Sequence, residues 1–287
     1  MKSPPTRRVV DVLTALSAAP QGLSSAELSR RCELTTSTAS LLLAELERNH
    51  WVVRGEDRRY TLGSGLFSVV RGLRDQFPLL DRGREALVRM NTVLGAACSM
   101  SKIGRRHLVI VDTVGHTSDG EHPVGHQFPI DPPFGLVAMA WRDDDTIERW
   151  LQNMTPRLSQ ADIADHRRVL ADIRARGYGA WKFDDAQGAL HERLGAVLAS
   201  LGSTSRVTHQ LTTLMTMVTL RSVTDSLEHD LGKAEFVVVP IFGPDRQPEY
   251  QIEIHLGRSQ NVSLTELNSA IADAQQILTS EAFNARP

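Results

Sequence analysis

Two stretches near the N-terminus repeat apolar positions at the three- and four-residue spacing of a helix that buries one side. The first repeat comprises Val9, Val12, Leu13 and Leu16, and the second comprises Ala39, Leu42, Leu43 and Leu46. The second repeat follows a cluster of hydroxyl residues, so Thr35 or Thr36 is the expected N-cap of a helix that runs to about Asn49. The opposite side of this helix would carry Ser37, Leu41, Ala44 and Arg48, with Thr38 and Ser40 beside them.

A short capped helix is predicted between these two. Ser24-Ser25-Ala26-Glu27 has the form of a capping box, in which each side chain satisfies a backbone N–H of the first turn. After the third helix, two β-prone runs flank Gly55-Glu56-Asp57 and predict a hairpin with arginines at its tip. Three helices followed by a basic hairpin is the order of a winged helix-turn-helix.

Beyond residue 77 the pattern changes to strands at both ends with helices between and after them. The predicted strands are Ala96 to Ile103, His107 to Thr113, Phe236 to Ile241 and Tyr250 to Leu256. The predicted helices are Leu66 to Arg74, Leu79 to Leu94, Phe134 to Trp141, Asp144 to Leu151, Gln160 to Arg176, Leu190 to Leu201, Val207 to Leu220 and a last one from the Ser263 capping box to about Ala282. This arrangement predicts an α+β domain with an antiparallel sheet.

Composition adds a charge asymmetry to this picture. The chain of 287 residues has a net charge of −2, but residues 1 to 74 hold eleven Lys/Arg against seven Asp/Glu. A basic module joined to an acidic one is therefore predicted. No apolar run reaches the roughly 18 residues of a membrane helix and no signal peptide follows the basic N-terminus, so we expect a cytoplasmic protein. Cys32 and Cys98 form no CxxC pattern and predict neither a disulfide nor a zinc site.

Catalytic and metal-binding motifs are weak or missing in the sequence. There is no Walker A loop, no HExxH motif and no GxSxG elbow, so no enzyme activity and no cofactor are expected. His116, His122 and His126, with Asp119 and Glu121, match no standard metal-site spacing and are interpreted as loop residues. Gly63-Ser64-Gly65 lacks the third glycine of a dinucleotide loop and is interpreted as a hinge.

One segment resembles a known family. LSSAELSRRCELTTSTASLLLAELERNHWVVRGEDRRYTLGSGL is similar to the winged helix-turn-helix of the IclR transcriptional regulators. The resemblance implies a DNA-binding domain over residues 1–62, a linker helix over 63–77 and a GAF-like effector-binding domain over 78–287. The match is poor over 184–233. Family members often carry Pro-Lys before the Ser-Thr pair and an arginine after it, where this chain has Thr35, Thr36 and Leu41.

The predicted DNA contacts follow from this domain. The third helix would enter the major groove by its N-terminal end, with hydroxyl contacts and a Leu41 contact to a thymine methyl, because it carries no Lys or Arg before Arg48. Phosphate anchoring is left to arginines elsewhere, among which Arg30 and Arg31 are equally well explained as solvated helix ends. The full set is Arg7, Arg8, Ser24, Thr35, Thr36, Ser37, Thr38, Ser40, Leu41, Arg48, Arg54, Arg58 and Arg59.

The resemblance also implies a small-molecule site in the second domain. An anionic group would lie at the start of the helix after Phe128-Pro129-Ile130-Asp131, while polar residues of the last strand face the ligand. The expected effector-binding residues are Ser99, Ser101, Phe128, Pro133, Phe134, Gly135, Phe236, Glu253 and His255. Glu253 and His255 share one side of their strand, which is either the pocket or solvent. If it is the pocket, Glu253 disfavours a small carboxylate and favours a neutral or cationic group.

Together these patterns predict a dimeric or tetrameric DNA-binding regulator whose placement on a two-fold operator responds to a metabolite. An alternative is a ligand sensor whose helix-turn-helix contacts protein instead of DNA.

Overall fold

A computed structural model describes residues 4–115, 124–130, 135–152, 157–181, 234, 236–256 and 262–279. The chain divides into two units, Met1–Pro78 and Leu79–Pro287. The predicted helices Leu190 to Leu201 and Val207 to Leu220 lie outside the described residues. No helix in the described ranges is long and apolar enough to cross a membrane.

The first unit is a winged helix-turn-helix followed by one further helix. Its elements are α1 (Pro4–Ser17), β1 (Leu23–Ser24), α2 (Ser25–Arg31), α3 (Thr36–Arg48), β2 (Val52–Arg54), β3 (Arg59–Leu62), a 3-10 turn at Ser64–Leu66 and α4 (Phe67–Gln76). β3 pairs antiparallel with both β1 and β2, so the wing hairpin and the residue before α2 belong to one small sheet. The predicted buried positions Val12, Leu16, Leu43 and Leu46 form the core with Leu28. The winged helix-turn-helix predicted from the sequence is confirmed.

The Gly63-Ser64-Gly65 segment, predicted to be a hinge, instead packs tightly against the end of α3. Gly63 N–H donates to Trp51 O at 2.8 Å and Gly65 N–H donates to His50 O at 2.8 Å. A Cβ added at Gly63 would lie 2.3 Å from His50 O, and one at Gly65 would lie 2.5 Å from Asn49 O. Because these neighbours are backbone atoms, only glycine allows the chain to approach so closely.

The second unit is built on a six-stranded antiparallel sheet in the order β6-β5-β4-β9-β8-β7. Its elements are α5 (Leu80–Leu94), β4 (Ala97–Ile103), β5 (His107–Val114), β6 (Gln127–Pro129), α6 (Leu136–Met139), α7 (Asp144–Gln152), α8 (Gln160–Arg176), β7 (Gly179–Trp181), β8 (Phe236–Phe242), β9 (Pro248–His255) and α9 (Leu264–Thr279). The antiparallel sheet and the α+β class are confirmed, while the edge strands β6 and β7 were not predicted.

Two hydrophobic clusters cover opposite sides of this sheet. The first joins α5 and α9 to one side through residues such as Leu87, Ile252 and Ile271. The second joins α6, α7 and α8 to strand residues that include Ile110 and Val238. Alternation along β4 and β9 therefore places Ser99, Ser101, Gln251 and Glu253 on the side opposite α5 and α9.

Candidate nucleic-acid interface and ligand face

Helix α3 begins in a network of hydroxyl groups. Thr35 is the N-cap, and its Oγ1 accepts a hydrogen bond from Thr38 N at 3.2 Å. The same oxygen lies 2.8 Å from Thr38 Oγ1 and 3.2 Å from Ser37 Oγ. The hydroxyls of Thr36 and Ser40 make no hydrogen bond within the described residues. One hydroxyl therefore caps the helix, and others in the cluster are left facing solvent.

The outward side of α3 carries an exposed apolar residue among these hydroxyls. Leu41 is 75% exposed, although Ala39 and Leu43 on the opposite side of the helix are buried. We call Thr36, Ser37, Ser40 and Leu41, all exposed, the α3 front. It carries hydrogen-bonding groups and a branched methyl side chain but no formal charge.

The arginines predicted to contact DNA differ in what they already contact. Arg58 is exposed at the tip of the wing and forms no ion pair within the described residues, as is also true of Arg8, Arg30 and Arg31. The side chains of three others have partners in their own unit: Arg7 pairs with Asp11 at 3.7 Å, Arg48 pairs with Glu45, and Arg54 lies 5.6 Å from the centre of the Tyr60 ring.

Arg58 has a left-handed backbone conformation, with φ 63°. The turn is closed by Gly55 N–H donating to Arg59 O at 2.8 Å and by Arg59 N–H donating to Asp57 Oδ1 at 3.0 Å. A non-glycine residue in this conformation costs about 1–2 kcal/mol. The turn between β8 and β9 repeats the same hydrogen bonds through Gly243, Asp245 and Gln247, with Arg246 at φ 58°.

Two of the residues predicted to contact DNA, Arg59 and Ser24, also make hydrogen bonds inside the unit. The Arg59 guanidinium donates to Glu27 Oε2 at 3.1 Å and to Gly22 O at 2.9 Å. Ser24 Oγ donates to the same Glu27 oxygen at 2.7 Å, and Glu27 N–H donates back to Ser24 Oγ at 3.3 Å. Glu27 thus caps α2 and holds the base of the wing, and the DNA contacts of Arg59 and Ser24 stay predictions.

This arrangement makes the stability of the first unit depend on the Glu27 charge. Hydrogen bonds from Ser24 and the nearby Arg59 and Arg30 hold the pKa of Glu27 below its ordinary value of 4.5. Its contribution is therefore present above that value and is lost as the pH falls through the lower folded-state pKa. We expect Glu27→Gln to lower the urea midpoint of the first unit at neutral pH and the difference to close in acid.

Glu56→Gln is the matched control, because Glu56 is exposed in the wing turn. Midpoints that respond equally to both substitutions at neutral pH would contradict a stabilising role for Glu27.

In the second unit, strand pairing brings four polar side chains into a square. Ser99 lies opposite Glu253 and Ser101 lies opposite Gln251 on the paired strands β4 and β9. Gln251 Nε2 donates to Glu253 Oε1 at 2.7 Å, and Ser99 Oγ donates to Glu253 Oε2 at 3.4 Å. We call these four residues the ligand face.

Three residues of the ligand face, Ser99, Ser101 and Gln251, are buried, whereas Glu253 is partly exposed, and the hydrogen bonding of the face is incomplete. Ser101 is 0% exposed and Gln251 is 4% exposed. Neither Ser101 Oγ nor Gln251 Oε1 has a hydrogen-bond partner among the described residues. Burial raises the pKa of Glu253, and the hydrogen bonds from Gln251 and Ser99 offset part of that rise. No lysine or arginine in the described ranges pairs with Glu253.

Of the other predicted effector residues, some lie beside the ligand face and others lie apart from it. Phe236 lies opposite His255, with ring centres 5.0 Å apart. Phe128 is buried on β6, which β5 and β4 separate from β9. Pro133 and Phe134 lie outside the described residues. Gln251 was not among the predicted effector residues, although its alternation with Glu253 and His255 places it on the same side of the strand.

The helix expected to hold an anionic group is shorter than predicted. α6 spans four residues, Leu136–Met139, and Gly135 precedes it with φ 90°. A single turn sums few peptide dipoles, so its N-terminus gives weaker support to an anion than the predicted helix Phe134 to Trp141 would. The start of α6 is therefore a weaker candidate for the effector site than the ligand face.

Four of the five residues considered as metal ligands lie outside the described ranges: His116, Asp119, Glu121 and His122. His126 lies against Phe128, with ring centres 4.6 Å apart, and burial lowers its pKa. Within the described residues, no group of three or more His, Cys, Asp and Glu residues is placed to hold a metal ion.

Comparison with known proteins gives one family and several solved structures. The model of the IclR helix-turn-helix domain matches residues 5–56. An IclR transcriptional regulator from Alicyclobacillus acidocaldarius is 18% identical over 97% of both chains, with a TM-score of 0.53. The IclR protein of Thermotoga maritima is 14% identical over 95% of this chain and 96% of its own, with a TM-score of 0.56. Curated proteins give no significant match.

A third solved structure contains a ligand. It is an IclR homolog from Microbacterium hydrocarbonoxydans in complex with 4-hydroxybenzoate, 17% identical over 96% of this chain and 100% of its own, with a TM-score of 0.54. The likeness of these proteins extends over both units, and the resemblance predicted from the sequence is confirmed. Residues 5–56 therefore form an IclR helix-turn-helix domain, and the chain as a whole has the fold of the IclR transcriptional regulators.

Proposed function

We propose that this protein is a sequence-specific DNA-binding transcriptional regulator of the IclR type. The observation that carries the proposal is the α3 front, which presents Leu41 at 75% exposure among hydroxyl groups. Hydroxyls and a methyl-bearing side chain at the start of a helix suit base edges and thymine methyls in a major groove. The positive charge that attracts phosphates would come from exposed arginines of the same unit, Arg8, Arg30, Arg31 and Arg58.

The second part of the proposal is control by a small molecule bound at the ligand face. The 4-hydroxybenzoate complex of the Microbacterium relative supports a ligand-binding role for a domain of this fold. A two-fold dimer would place two α3 fronts on a two-fold operator, and the bound molecule would favour one arrangement of them by binding it more tightly. The protein would bind its operator DNA in the cytoplasm.

A mobility-shift series tests the DNA-binding proposal. DNA upstream of the protein's own gene is titrated with the full chain at several salt concentrations, with a scrambled duplex of the same composition as the competitor. We expect one preferred site and an affinity that falls steeply with salt. No site preferred over the scrambled duplex at any salt concentration would contradict the proposal.

Arg58 allows the phosphate contact to be separated from stability. Arg58→Gly relieves the left-handed conformation, so it should stabilise the first unit by about 1 kcal/mol. The same change removes a cation from the wing tip, so it should weaken binding to all DNA sequences and lower the salt slope by about 1. Stability is measured by urea unfolding and affinity by fluorescence anisotropy.

Arg246→Gly is the matched control, because Arg246 has the same conformation in the equivalent turn of the other unit. It should stabilise its own unit and leave DNA affinity unchanged. An unchanged salt slope in Arg58→Gly would show that the wing tip does not contact phosphate.

A further inference from the structure

We propose that the small molecule bound at the ligand face carries a protonated amine on a small apolar skeleton. This inference rests on the proposed effector site and names the class of molecule that fits it. The described residues of the face leave more hydrogen-bond acceptors than donors free, and they include one carboxyl group that no lysine or arginine of the described ranges contacts.

The donors and acceptors of the face are unequal in number. The Gln251 amide N–H group and the Ser99 hydroxyl are already directed at Glu253. Among the described residues, the acceptors left free are Gln251 Oε1, the remaining lone pairs of the Glu253 carboxyl and the Ser101 hydroxyl oxygen. The donors left free are the Ser101 hydroxyl and the second N–H of the Gln251 amide, so free acceptors outnumber free donors. A ligand that brings donors therefore satisfies more of the face than one that brings acceptors.

A protonated amine matches this set of acceptors. An ammonium group has three N–H donors and accepts none, and the face offers three side chains with free acceptors: Glu253, Gln251 and Ser101. Its positive charge would also pair with the Glu253 carboxylate, which no lysine or arginine of the described ranges contacts. A carboxylate ligand would instead place a second negative charge beside Glu253 and leave Gln251 Oε1 without a donor.

The residues beside the ligand face indicate the chemistry of the rest of the ligand. Val238 lies opposite Glu253 on β8, and Ile110 lies opposite Ser101 on β5. Both side chains are buried in the cluster that covers this side of the sheet, and Phe236 is packed against it. Apolar walls around a polar centre suit a ligand whose amine is attached to a hydrocarbon or aromatic group.

Matched pairs of small molecules test the inference on the full chain. Benzylamine, phenethylamine and isobutylamine are compared with benzoate, phenylacetate and isobutyrate by isothermal titration calorimetry. We expect at least one amine to bind and its carboxylate partner to bind more weakly by about tenfold or more. Binding of the carboxylates in preference to the amines, or binding of none of the amines, would overturn the proposal.

Variants locate the binding. Glu253→Gln removes the charge with little change of shape and should weaken the amine by about tenfold or more. Glu249→Gln is the control on the same strand, because Glu249 pairs with Lys102 at 3.0 Å, and it should leave amine affinity unchanged. Ser101→Ala removes a hydroxyl that has no partner in the described part of the chain, so the protein should stay folded while its affinity for the amine falls. Equal amine affinity in the wild type and in Glu253→Gln would overturn the assignment.

Two further measurements distinguish amine binding from metal binding and from the proposed DNA-binding function. Magnesium and potassium chlorides are titrated in the same way, and a metal ion that binds through Glu253 while no amine does would overturn the proposal. DNA binding is measured independently by mobility shift. A protein that binds its operator but no amine loses only this inference, whereas one that binds amines but no DNA loses only the regulatory function.

Discussion

Replacement of Gly63 by alanine should destabilise the first unit by about 1–3 kcal/mol. The added methyl group would lie 2.3 Å from His50 O and 3.0 Å from His50 C. Both neighbours are backbone atoms at the end of α3, so neither can move without disturbing the Gly63 N–H to Trp51 O hydrogen bond. The measurement is urea unfolding of the full chain, followed by hydrogen exchange on peptides of residues 4–78 so that the two units are resolved.

Gly72→Ala is the matched control for this substitution. Gly72 lies inside α4, and a Cβ added there has no atom within 4 Å. Both changes restrict the unfolded chain equally, and alanine favours the helix, so Gly72→Ala should stabilise α4 by about 0.5–1 kcal/mol. The difference between the two variants isolates the clash. Equal effects of the same sign would show that the junction after the wing is loose.

Leu41→Arg should change which DNA sites the protein prefers and raise its affinity for the new ones by about tenfold. A leucine offers only van der Waals contact to a thymine methyl, whereas an arginine reaches both acceptors of guanine, which is worth about 1–3 kcal/mol. The exposed position on α3 leaves room for the longer side chain. Preferred sites are selected from random duplexes for the wild type and the variant, and each is then titrated at fixed salt.

Ala18→Arg adds the same charge at an exposed position of the first unit, beyond the C-terminal end of α1. It should raise affinity slightly for every sequence without changing the preferred site, because added charge alone acts on phosphates. If Leu41→Arg behaves as Ala18→Arg does, then Leu41 does not enter the groove and the α3 front has another role.

Local signals in the sequence were sufficient for most elements. The capping boxes at Ser24 and Ser263 were predicted from four-residue patterns, and both are formed by hydrogen bonds between residues three apart. α8 spans the predicted Gln160–Arg176 because apolar spacing and a glycine after its end are also local features. In both cases the interacting residues lie within one short segment of the chain, so the local sequence is enough to predict them.

The strands and contacts that the sequence did not predict depend on interactions between segments that are distant in the chain. β6 and β7 span three residues each, too few to show an alternating pattern, and are defined by pairing with β5 and β8. The sequence of the wing does not reveal that the Arg59 guanidinium reaches Glu27, 32 positions earlier. Gln251 Oε1, which has no hydrogen-bond partner among the described residues, is identified only from the pairing of β4 with β9.

The Arg59 contacts have a consequence for the free protein. The wing is joined to the start of α2 by backbone pairing between β1 and β3 and by the bonds from Arg59 to Glu27 and Gly22. The positions of Arg58 and the α3 front relative to each other are therefore set before DNA arrives. Preorganisation of this kind lowers the entropy lost on association, so that weak contacts from uncharged side chains contribute more of their energy to binding.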